Sequence, residues 1–83
     1  MQRVRIAQEA EVLLARVRID FRSKRQGNSI ILSRSDLTSK FCHAPGRGFH
    51  VHDLYYQLIP YLEARGEARR LRKEGKLERY AFP

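Results

Sequence analysis

At 83 residues the chain has room for one domain, and a domain of this size buries only about 60–65% of the surface its unfolded form exposes, so its core is thin. A composition of 42% apolar and 31% charged residues is globular, with no apolar run long enough to span a membrane, and the single cysteine, Cys42, excludes an intrachain disulfide framework. Seventeen Lys and Arg against nine Asp and Glu leave a net charge of +8, which points to a polyanionic partner.

The spacing predicts a first helix from Gln2 to about Lys24. Ile6, Ala10, Leu13, Leu14, Val17 and Phe21 recur at three and four residues and line one face. Val12 and Ile19 lie off that stripe, so the apolar surface is broad, as for a helix buried against both its own core and a second copy of the chain. A short strand over Val17–Phe21 competes, on too few alternating residues. Arg3, Arg5, Glu9 and Glu11 interrupt the run that a signal peptide needs, so a cytoplasmic protein is expected. Gln26-Gly27-Asn28-Ser29 reads as a loop, with Gly27 stopping the helix.

Ile30-Ile31-Leu32 is long enough for a brief strand. Ser33 with Asp36 three positions later has the pattern of a capping box, and Leu32 and Leu37 are placed to staple it, so a short second helix is expected through Phe41. Cys42 to Phe49 contains Pro45, Gly46 and Gly48 and reads as a turn or exposed loop. A third helix is predicted over about Val51 to Arg65, buried through Val51, Leu54, Leu58, Ile59 and Leu62. Pro60 should kink it near Tyr56, and Gly66 should end it.

Glu67 to Pro83 reads as a β-hairpin. Strands over Ala68–Arg72 and Leu77–Phe82 flank a Lys73-Glu74-Gly75-Lys76 turn, and Tyr80 and Phe82 anchor the return strand in the core. A terminal helix through Arg70–Arg79 is the competing reading, opposed by Gly75 and the Tyr-Ala-Phe-Pro ending.

The order helix, strand, helix, helix, hairpin resembles the winged helix-turn-helix family. The likeness is carried by Ile30-Ile31-Leu32, Ser33-Arg34-Ser35-Asp36-Leu37, the Leu54…Leu58…Tyr61-Leu62 helix, Glu63-Ala64-Arg65-Gly66 and the basic hairpin. It is a likeness of architecture, and covers about residues 30–83. It implies an α+β domain with three helices and a C-terminal β-hairpin wing, divided into a first helix (1–25), a strand and helix-turn-helix (30–65) and a wing (67–83). One departure is the stretch from Cys42 to His50, longer than the usual three- or four-residue turn of the motif.

The resemblance implies duplex DNA as partner, a role in transcription regulation, and a third helix in the major groove. Residues opposite that helix's buried stripe are His50, His52, Tyr56 and Gln57, with Arg47 in the preceding loop. Gln57 suits adenine and Arg47 guanine for direct readout. The wing carries Arg69, Arg70, Arg72, Lys73, Lys76 and Arg79, a cluster suited to phosphates. Arg34, with Ser33 and Ser35 at the start of the second helix, is placed where free N–H groups meet phosphate. Arg22, Lys24 and Arg25 form a second basic cluster. A homodimer through residues 1–25 would set two half-sites about one helical turn apart.

Two other functions compete. One is RNA binding or ribosome association, with Tyr55, Tyr56 and Tyr61 as stacking surfaces. The other is a protein-interaction module in which the charge is incidental. No catalytic constellation is evident and no cofactor is implied. Cys42, His43, His50 and His52 have poor spacing for zinc, so no metal is expected. The Pro45-Gly46-Arg47-Gly48 glycines lack the lysine-serine pair of a P-loop.

Overall fold

The computed structural model of the chain describes residues 3–42, 48–71 and 78–83. It is an α+β fold of three helices and a four-stranded antiparallel sheet. Helix α1 covers Arg3–Asp20 and is followed by a 3-10 turn, Arg22–Lys24. Strands β1 (Arg25–Gln26) and β2 (Ser29–Ser33) lead into α2 (Arg34–Phe41). Helix α3 is a continuous rod over residues 51–64. It is α-helical at Val51–Asp53, a π turn at Leu54–Leu58, and α-helical again at Ile59–Ala64. Strands β3 (Arg69–Arg70) and β4 (Arg79–Phe82) complete the sheet, whose order is β1-β2-β4-β3.

Alternation puts Ile30 and Leu32 of β2 on one face, paired with Phe82 and Tyr80 of β4, and all four are fully buried. Against them pack Leu13, Leu14 and Val17 of α1, Leu37 and Phe41 of α2, and Leu54, Leu58, Ile59 and Leu62 of α3. Every helix and the two central strands thus contribute large side chains, as a thin core requires.

The expected capping box is present. Ser33 N donates to Asp36 Oδ2 (3.1 Å) and Asp36 N donates to Ser33 Oγ (3.0 Å). Gly66 ends α3 as anticipated, at φ +74°, with its N–H on the Glu63 carbonyl and the Glu67 N–H on the Leu62 carbonyl. Both bonds of a Schellman motif are made, and they satisfy carbonyls the helix end would leave orphaned.

Several expectations are corrected. Helix α1 stops at Asp20, short of Lys24, and no strand forms over residues 17–20. Phe21 turns out of the helix to meet the Phe41 ring edge-on (5.8 Å, 75°), and the chain then pairs Arg25 and Gln26 with Ile30 and Ser29. Gly27, at φ +62°, is therefore the first central residue of a β1–β2 hairpin rather than a helix stop. Only this residue of the Gly27-Asn28 pair has positive φ, the pattern of a II′ turn.

The kink expected near Tyr56 takes the form of the π turn. Pro60 has no N–H for the Tyr56 carbonyl, and its ring would crowd that carbonyl in a regular helix. The wider turn avoids this, with the Ile59 N–H donating to the Leu54 carbonyl five residues back. The extra residue rotates the segment ahead of it. That carries Val51, expected in the core, to 39% exposure and turns Tyr55 inward to 3%.

The pairing of β3 with β4 overturns a helix through Arg70–Arg79. Both strands are shorter than expected, and the Lys73-Glu74-Gly75-Lys76 turn lies outside the described residues, as do 43–47 of the loop before α3.

Candidate nucleic-acid interface

Helix α3 exposes one edge. His50 precedes its first turn, and His52 lies one turn before Tyr56, so their rings meet at 4.8 Å. Tyr56 is 66% exposed. Gln57 is less available than the sequence suggests. It is half-buried, its Nε2 donates to Asp53 Oδ1 (3.4 Å), and it lines an apolar groove with Val4, Ile6, Ala7 and Tyr61. The rod contains no Lys or Arg and carries two carboxylates, Asp53 and Glu63. Cations that meet a phosphate backbone must therefore come from outside it.

The hairpin sorts its arginines by strand parity. Arg70 is opposite Tyr80 and points toward the core edge. Its guanidinium lies over the Tyr80 ring (5.6 Å), with Nη2 3.6 Å from Glu63 and Nε 3.6 Å from Glu78. Arg69 is opposite Ala81, so it shares the outer sheet face with Arg79. Among the described residues neither has a carboxylate within ion-pair distance.

Arg34 is held much as Arg70 is. Its guanidinium lies 4.0 Å above the Tyr55 ring, and Nη1 is 3.3 Å from Glu78 Oε2. Glu78 thus bridges α2 to β3 through two arginines, and Arg34 and Arg70 serve first as clamps. The start of α2 is also not a ready phosphate cradle. The Ser33 and Asp36 N–H groups are used by the capping box, the Arg34 N–H donates to the Glu78 carbonyl (2.9 Å), and Asp36 puts a negative charge there.

The outer sheet face is the feature least visible in the sequence. A groove lined by Lys24, Gln26, Ile31, Ser33, Asp36 and Arg79 joins the second basic cluster to the hairpin. Lys24 reaches Asp36 (Nζ to Oδ2, 3.7 Å), while Arg25 turns back toward the Asn28 carbonyl. Strand alternation around Ile31 and Ala81 was the available signal, but the pairing of β2 with β4 was needed to read it.

Of the sequence-predicted site, His52 and Tyr56 meet on the exposed α3 edge, and His50 is exposed at the residue just before the helix. Among the described residues Arg69 has no ion-pair partner, while Gln57, Arg34 and Arg70 are engaged within the fold. Arg47, Arg72, Lys73 and Lys76 lie outside the described residues. Tyr55, a candidate stacking surface, is buried. Its hydroxyl donates to the Arg34 carbonyl (2.8 Å) and lies 2.7 Å from Thr38 Oγ1, which leaves Tyr56 as the one exposed tyrosine of the three, Tyr61 being half-buried.

Burial pushes the Cys42 thiol above its ordinary range, against the opposite pull of Arg34, so the thiol is not activated. Among the described residues no group of three or more His, Cys, Asp and Glu is placed to hold a metal ion, and no helix is long and apolar enough to cross a membrane. Compared with protein-family models, with curated proteins and with solved structures, the chain matches none.

Proposed function

We propose that the chain is a winged helix-turn-helix domain that binds duplex DNA in a sequence-influenced way, as a transcriptional regulator does. The observation that carries this reading is the hairpin following directly on α3. It sets Arg69 and Arg79 on one exposed face with Lys24, while α3 presents His50, His52 and Tyr56 without a cation of its own. The hairpin and sheet then hold the phosphate backbone and give affinity, and the cation-free helix edge meets the bases and gives preference. Arg72, Lys73 and Lys76, between β3 and β4 in the sequence, belong to the same backbone-holding set in this proposal.

The test is fluorescence-anisotropy titration of duplexes at several salt concentrations. Affinity should fall steeply with salt. Reversing two phosphate contacts, as in an Arg69→Glu/Arg79→Glu double variant, should weaken binding across all sequences and reduce the slope of log K against log salt by about 1.8. Tyr56→Ala and His52→Ala should change the ranking of sequences more than the mean affinity. Unchanged binding by the charge-reversed variant would remove the role given to the sheet.

One observation favours a second reading. Tyr56 stands beside an apolar groove on a helix that carries carboxylates and no cations, which suits a protein partner better than a phosphate backbone. Absence of duplex binding at moderate salt would decide for that reading.

A further inference from the structure

Helix α1 carries two apolar faces, and its neighbours cover only one. Val4, Val12 and Ile19 are 68%, 52% and 68% exposed, and they make up three of the five large apolar side chains exposed among the described residues. With the exposed Gln8 and Ala15 they fall at i, i+4, i+8, i+11 and i+15. This is a single line along the helix, opposite Ala10, Leu13, Leu14 and Val17. A surface helix that meets only its own core carries polar residues there. The line runs the length of α1, and Ala15, near its middle, lets another backbone approach closely. Alongside runs a groove bounded by Val12, Arg16, Ile19 and Phe49.

The charges beside this stripe identify what covers it. On one flank Glu11 precedes Arg18, and on the other Glu9, held by Arg5 one turn back (Nε to Oε1, 3.3 Å), precedes Arg16, so Glu9 and Glu11 lie N-terminal to the two guanidiniums they would meet, Arg16 and Arg18. Two such helices side by side in parallel place like charges level with one another. Placed antiparallel, with the two-fold axis between Val12 and Ala15, Glu11 of each copy faces Arg18 of the other, and Glu9 faces Arg16. Val12 of one copy then packs on Ala15 of the other, and Ile19 lies over the aliphatic part of Gln8. The stripe is self-complementary in one direction only, which is what an isologous contact requires. In the single chain Arg18 donates to the Pro83 carbonyl (3.3 Å), and Arg16 stacks on the Phe41 and Phe49 rings.

We propose that α1 is a homodimerisation helix, pairing antiparallel with a second copy of this chain through Gln8, Val12, Ala15 and Ile19. This does not depend on DNA binding, since a dimer that ignored DNA would leave it intact.

Sedimentation equilibrium over a range of protein concentrations tests it, with circular dichroism as the check on folding. The wild-type chain should dimerise. Val12→Glu and Ile19→Glu, at positions exposed in the single chain, should stay folded yet raise the dimer dissociation constant at least about 100-fold, because each dimer carries the change twice. Glu11→Arg and Arg18→Glu should each weaken the dimer, and the double variant should recover most of the loss, since both cross-pairs re-form with signs exchanged. A chain that is monomeric at every concentration, or a dimer indifferent to both Glu substitutions, would overturn the proposal. A double charge variant no better than the singles would overturn the antiparallel pairing.

Discussion

Glu78, just before the last strand, and Tyr80, two residues on within it, show how a charged cluster is built at the edge of an apolar core. Glu78 is mostly covered, with 14% of its side chain exposed, and its two oxygens are divided between Arg34 and Arg70. The Tyr80 hydroxyl is fully buried and, among the described residues, makes no hydrogen bond of good geometry, although Glu78 is close to it. Burial, reinforced by the negative charge of Glu78 and opposed by Arg70, pushes its pKa up to about 12 from an ordinary value of 10.0. The folded state therefore prefers the protonated phenol. That preference contributes in full below pH 10 and is lost as pH rises toward 12. The expected loss over this window is on the order of 2 kcal/mol. Tyr80→Phe should flatten this alkaline decline, leaving the part due to Tyr55, whose pKa burial also raises. At neutral pH the same variant should be at least as stable as the wild type, because it removes an unpaired buried hydroxyl. Urea unfolding midpoints measured from pH 7 to 12 check both statements.

At the scale of elements, the ends of the helices are specified more sharply than their middles. Ser33→Ala removes the acceptor for the Asp36 N–H and should cost about 1 kcal/mol. Gly66→Ala should cost a similar amount, roughly 1–2 kcal/mol. A methyl group at Gly66 meets nothing within 4 Å, so the left-handed backbone at φ +74° is the whole penalty. Thermal or urea unfolding of the two variants checks these values, and a Gly66→Ala variant as stable as the wild type would argue that α3 can end another way. Both signals are local: a side chain three residues from its partner, and a residue without a Cβ. They were legible in the sequence for that reason. The π turn was not. Pro60 announced a disturbance near Tyr56, but whether the rod would kink, break or widen depended on the packing of Leu54, Leu58 and Ile59. With it went the side of Tyr55, which the sequence left available for stacking and the fold buries.

For the whole molecule, the +8 net charge and the distribution of its cations have opposite consequences for folding and binding. Most of the ion pairs among the described residues involve side chains that are 29–69% exposed, where each is worth little. Net repulsion among seventeen cations should outweigh them. Moderate salt should accordingly raise the unfolding midpoint, by about 4 °C for a domain of this size, while it weakens any complex with DNA. Differential scanning calorimetry and anisotropy in the same buffers would display the two trends, and a midpoint that falls with salt would mean that the ion pairs outweigh the repulsion.

What the sequence by itself determined are the properties set within a few residues or by the whole composition. These are the three apolar-faced helices, the capping box at Ser33, the glycine stop at Gly66, the inward pair Tyr80 and Phe82, and the surplus of positive charge. Tertiary structure alone decided which cations remain available. Arg70 and Arg34 are drawn onto Glu78, Gln57 is drawn onto Asp53, and Lys24 is brought to the face of Arg79 because β2 pairs with β4. Those partners lie as many as fifty-five positions apart in the chain. An arginine's charge is fixed by its identity, but its freedom to meet a ligand depends on which carboxylate folding brings within reach, and no local pattern encodes that.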